Sequence, residues 1–191
     1  MYGQFILLKI CPFFRIRYMK CDYCNLEING QYYIDSWGHN FHCNHLSEAK
    51  VCGSCGSIVI PTSTPRPVRL DDGRSICGNC STDAILNDWQ MNRCINAVYE
   101  FYKRGKISFP RQNIKFTLVN ENKIVKNALG FTSSIGNRYT VKLLLGLNKT
   151  IMCSVITHEL MHIHLHQIDV VDLLTKQENE GICEVASFFS L

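Results

Sequence analysis

No run of apolar residues in this chain approaches the ~20 needed to span a bilayer, so no transmembrane helix is expected. No secretory leader is expected either. Lys9, Arg15, Arg17 and Lys20 follow the apolar stretch Phe5 to Leu8 where a leader would place its charges ahead, and no small-residue cleavage site comes after. Residues 1–20 read as a loosely docked N-terminal extension, or as sequence upstream of a true start at Met19, with a short membrane-surface segment as the alternative. The sequence also lacks an excess of one charge sign. Its net charge of +4 comes from scattered residues of both signs, with no polybasic cluster and no basic stripe interleaved with aromatics. Nucleic acid and membrane are therefore not expected as partners. Nor is the chain poor enough in apolar residues for disorder: 46 % are hydrophobic, and 191 residues suffice for one medium domain or two small ones.

What is abundant is cysteine. Eight of the eleven lie in the first 80 residues, and six of those form three CxxC pairs. That spacing suits tetrahedral zinc better than a disulfide framework and points to a reducing, intracellular and so cytoplasmic setting. The donors run Cys21-x2-Cys24, His42-x2-His45, Cys52-x2-Cys55 and Cys77-x2-Cys80. Grouped sequentially, they make two complete structural sites: Cys21, Cys24, His42 and His45 for one zinc, then Cys52, Cys55, Cys77 and Cys80 for the other. Cys43 or His39 is an alternative to one of the two histidines. Gln31 to Ile34 and Ser57 to Ile60 read as hairpin strands, and Asp71-Asp72-Gly73-Arg74 as a turn leading back to Cys77. A module this small depends on its metals for folding energy. With both sets closed, neither is expected to be catalytic.

Ser81-Thr82-Asp83 supplies capping residues for a helix of about twenty residues ending near Gly105. Its stripe of Ile85, Trp89, Ile95, Val98 and Phe101 suggests a docking surface between the halves. Residues 106–191 then carry three strand-like runs, Ile114 to Val119, Ala128 to Ser133 and Arg138 to Leu147, punctuated by Gly130, Gly136 and Gly146 as in a small antiparallel sheet.

A second kind of metal site is written into the apolar helix that follows, which Asn148 or Thr150 can cap. Residues His158-Glu159-Leu160-Met161-His162 put two imidazoles one turn apart on one face, with a carboxylate beside them. Two neutral nitrogens that hold zinc and a carboxylate that takes a proton from water are the parts of a zinc hydrolase. The third ligand is open between Glu180 and Glu184, both on a further helix beginning near Gln177; the other of the pair would hold a histidine from outside. His166 lies about 12 Å along the axis from His158, too far to share an ion. His164 and His166 read as surface or supporting residues. Tyr139 is a candidate transition-state donor, and Ala128 to Ser133 the edge along which an extended substrate would pair.

The order of these parts resembles the LIM-domain zinc peptidases of plants that restrain organ growth, the DA-one family, in a minimal form without their ubiquitin-interacting motifs. The resemblance covers residues 21–191 and rests on Leu70-Asp71-Asp72-Gly73-Arg74 before Cys77-x2-Cys80, on Gly146-Leu147, on Thr157 to His162, and on Glu180-Gly181-Ile182-Cys183. Six residues separate His45 from Cys52 where a typical LIM domain has two. The resemblance implies an α+β chain: an N-terminal extension (1–20), a LIM-like double-zinc module (21–82), a connecting helix (83–105) and a small thermolysin-like peptidase domain (106–191). It also implies a catalytic zinc on His158, His162 and Glu180, with Glu159 as base, making three Zn²⁺ per chain. Protein or peptide substrates follow, with a protein partner at the LIM-like module; ubiquitin as an activator is not carried over. The alternative is a non-catalytic LIM-type adaptor with a vestigial peptidase fold.

Overall fold

The computed structural model describes residues 19–190 and the backbone of Leu7–Lys9. The readings made for the N-terminal extension otherwise lie outside the described residues. The fold is mixed α and β, built from small sheets, in two compact units that meet between Thr82 and Asp83. No helix among the described residues is long and apolar enough to cross a membrane.

In the first unit, β1 (Leu7–Lys9), β2 (Tyr32–Ile34) and β3 (Asn40–His42) form an antiparallel sheet in that order. Tyr33 opposite Phe41 stacks two aromatic rings in a core completed by Cys21, Ile58 and Ile60. The single-turn helix α1 (His45–Glu48) follows. A second core gathers Cys52, Val59, Leu70, Ile76, Cys77 and Cys80 around the hairpin of β4 (Val68–Arg69) and β5 (Ser75–Ile76), which leads into α2 (Gly78–Ser81). The expected turn at Asp71 to Arg74 closes this hairpin: Leu70 N–H bonds to the Arg74 carbonyl, and Gly73 takes φ +89°, which a residue with a Cβ rarely adopts. Ser57 to Ile60 differs from expectation. Among the described residues it makes one bridge, Val51 to Ile58, and its alternation serves two cores: Ile58 and Ile60 enter one, Val59 the other.

The second unit begins with a short backbone ladder in which Ile85 bonds to Gly146 and Leu147. That extended entry delays the helix, so α3 spans Asp88–Arg104 and is capped by the Asn87 side chain, not by residues 81–83. Its apolar face packs within its own unit, apart from Trp89, which is exposed. Met91, Cys94, Ile95, Val98, Tyr99 and Tyr102 are buried in this unit's own core with Val141, Leu143, Met152, Ile156, Leu160 and Ile163.

The sheet here has the order β6 (Ile114–Val119), β8 (Arg138–Leu144), β7 (Gly130–Ile135). It is mixed, not antiparallel: β7 and β8 form the hairpin, whereas β6 lies parallel to β8. The physical reason is burial. Tyr139, Val141, Leu143 and Leu144 make β8 the most buried strand, so it takes the centre and pairs on both sides, which leaves β7 at an edge. Helix α4 (Lys149–Gln167) starts at the Asn148 side chain, which accepts from Ile151 N–H, and it is apolar on nearly every side because α3, the sheet and a last helix surround it. That last helix, α5 (Lys176–Phe189), opens with a reciprocal capping box between Thr175 and Glu178 and packs along α4.

Candidate metal centres

Two clusters in the first unit could hold metal, and their membership is the sequential grouping: Cys21, Cys24, His42 and His45 in one, Cys52, Cys55, Cys77 and Cys80 in the other, each with ligand atoms within 4.8 Å of one another. In the first, β3 ends at His42 and α1 begins at His45, so a strand-to-helix turn delivers both imidazoles to one place. His42 donates from Nε2 to the Glu27 carbonyl at 3.0 Å, which aims Nδ1 at Cys24 Sγ, 3.4 Å away. A ring nitrogen fixed by a carbonyl on its far side is how a ligating histidine is oriented. His45 gives the sharper test of fit. It is buried, and neither ring nitrogen has a hydrogen-bond partner among the described residues, with Glu48 no closer than 3.8 Å. A buried imidazole without partners is costly in an empty site and satisfied in a ligated one. The alternatives fall away from the cluster: His39 is held by Asp35 at 3.0 Å, and Cys43 is not among the four donors.

The second cluster carries the features of thiolates. Cys52 Sγ accepts backbone N–H groups from Ser54 at 3.4 Å and Cys77 at 3.2 Å, and the Trp37 indole N–H reaches Cys55 Sγ at 3.4 Å. The neighbouring Cys52, Cys77 and Cys80 thiols hold Cys55 far below its ordinary range. Four sulfurs this close cannot all ionise unless a cation sits among them, and four such donors suit zinc.

The third site lies between α4 and α5. His158 Nε2 and His162 Nε2 stand 3.1 Å apart, and the Glu180 carboxylate reaches both, at 3.4 Å and 3.8 Å. Glu184 is close enough for its charge to act on His158. Burial, with the neighbouring His162, lowers the His158 pKa and keeps that imidazole in the neutral form a metal requires. The sequence reading missed two residues here. Asn179 Oδ1 accepts from His162 Nδ1 at 2.8 Å, and the buried Cys183 thiol lies 3.3 Å from the same nitrogen. Cys183 also falls within 4.8 Å of both histidines. It lies on the Nδ1 side of His162, whereas the two Nε2 atoms face each other and the Glu180 carboxylate. Burial, with the surrounding carboxylates, pushes the Cys183 pKa up to about 12. The adjacency of Asn179 to Glu180 was legible, but not its contact with His162, which depends on how α5 folds back.

Glu159 is only 6 % exposed, tucked under β7. Burial raises its pKa, opposed by a hydrogen bond from the Thr132 hydroxyl and by the charge of His162. Gly130 makes the room, since a Cβ there would stand 2.6 Å from Val155 Cγ1 and 2.7 Å from Glu159 Oε1. Gly130→Ala is accordingly expected to cost about 1–3 kcal/mol in denaturant unfolding, the usual penalty for overfilling a packed core. The Tyr139 hydroxyl is not brought to this site; it pairs with His166 at 3.0 Å, two turns beyond His158.

With this geometry in view, no family model matches the chain, and no curated protein or solved structure matches it either.

Proposed function

We propose that the chain is a zinc-dependent metallopeptidase of LIM-plus-thermolysin-like architecture, akin to the DA-one family, acting on protein or peptide substrates. The observation that carries this reading is the convergence of His158, His162 and Glu180 within 3.8 Å of one another, with a buried carboxylate, Glu159, on the same helix. His158, His162 and Glu180 would hold the ion, which when bound supplies a Lewis acid that polarises a carbonyl and acidifies water. Glu159 takes the proton from the attacking water and delivers it to the leaving nitrogen. Asn179 orients His162, and β7, an edge strand beside this helix, offers its open side for main-chain pairing with an extended substrate. The two cysteine-rich clusters would hold structural zinc, and their module would bind a partner or regulate the peptidase.

Metal counting tests the reading. Purified protein is expected to hold three zinc ions per chain by mass spectrometry. Glu180→Ala should hold two, because a distant carboxylate is lost from a three-ligand site, while Cys43→Ser should still hold three. The first unit's two clusters, complete without any contribution from α4, favour the rival reading of a non-catalytic adaptor. Two ions in the parent protein would establish the rival and overturn the peptidase.

A further inference from the structure

Glu159 does not hang free beside the paired histidines. The Thr132 hydroxyl donates to its Oε2 at 2.6 Å, within the range of charge-assisted O–H···O⁻ bonds. Gly130, two residues earlier on the same strand, leaves Oε1 the space it occupies. A glutamate has three rotatable side-chain bonds, and a base that must meet a water in one orientation gains from having them fixed beforehand. β7 therefore holds the carboxylate from both sides, Thr132 by a hydrogen bond to Oε2 and Gly130 by the space it leaves beside Oε1. We infer that Thr132 is a positioning residue for the base, its hydroxyl holding the Glu159 carboxylate through Oε2 in one orientation. This rests on the peptidase reading above.

A merely structural tie between β7 and α4 makes a different prediction. Loosening the strand would disturb substrate docking and raise KM, whereas misaiming the base lowers kcat alone. The experiment compares Thr132→Val, which keeps the branched shape, with Thr132→Ser, which keeps the hydroxyl, on dye-quenched casein, with zinc content and melting temperature measured alongside. Thr132→Val is expected to lower kcat about ten- to hundred-fold, with KM within about two-fold and three zinc ions retained. Thr132→Ser is expected to restore most of the loss. Parental kcat, or a higher one, in Thr132→Val would overturn the inference, as would a change confined to KM or a serine variant as impaired as valine. If either variant fails to fold, Thr132→Ala supplies the hydroxyl deletion without added bulk. Glu159→Gln separates the two levels. An inactive Glu159→Gln beside a fully active Thr132→Val removes the positioning role alone, whereas a parent that leaves casein intact removes the peptidase reading and this role with it.

Discussion

Replacing Glu159 by glutamine is expected to reduce kcat by about 10²–10⁴-fold, the range associated with losing a positioned general base, while zinc content stays at three per chain. The two side chains have the same shape. Glutamine keeps an oxygen that can accept from Thr132 Oγ1, so the contact under β7 survives and only the ability to hold a proton disappears. Neither His158 nor His162 is altered, and Asn179 still fixes His162 through Nδ1, so the metal site is intact. The check pairs casein turnover with metal analysis on the same preparation. Parental turnover in the variant would show that Glu159 is not the base. A loss of metal together with activity would mean that the variant had damaged the site and not the chemistry.

The second large effect concerns folding. Cys52→Ser is expected to unfold residues 50–82 of the first unit while the second unit stays folded. The core around Cys52 contains only Val59, Leu70, Ile76 and the other cysteines, too little apolar surface to offset the entropy of ordering the chain. A structural zinc contributes about 10–16 kcal/mol of apparent folding energy in small zinc peptides, more than such a core supplies. Cys52 also accepts two backbone N–H bonds, from Ser54 and Cys77, that weaken when serine replaces the thiolate. Amide hydrogen exchange read by mass spectrometry should show protection lost over residues 50–82 and kept over α3, β8 and α4, whose core is separate. Protection undiminished around Ile76 would mean that the unit folds without its metal.

Much of the candidate chemistry was legible in the sequence because it is local. His158 and His162 share a helix face by the periodicity of the helix alone, and each CxxC brings its own two sulfurs together. The grouping of Cys21, Cys24, His42 and His45 followed from spacing, and the cluster has those members. Thr132, Asn179 and Cys183 were hidden for the opposite reason. Each contact crosses 17 to 27 positions of chain and depends on how a strand or α5 lands on α4, which spacing does not encode. Tyr139 went astray similarly: its strand was foreseen, but not the face its hydroxyl takes toward His166. Ser57 to Ile60 carries a true alternation whose meaning is set by two surrounding cores, so the pattern was read correctly and the partner was not. The order of the second sheet was beyond reach as well, since nothing in Ile114 to Val119 says which neighbour it will choose.

That choice sets a timetable for the newborn chain. The inner side of β6 has no mate until β8 has been synthesised, because the strand that follows it in sequence goes to the far side of the sheet. At about 5–20 residues per second, translation takes on the order of one to five seconds to travel from Val119 to Leu144. For that interval the six-residue strand waits with its main-chain groups unclaimed, a lure for a chaperone or for a sister polypeptide on the same messenger.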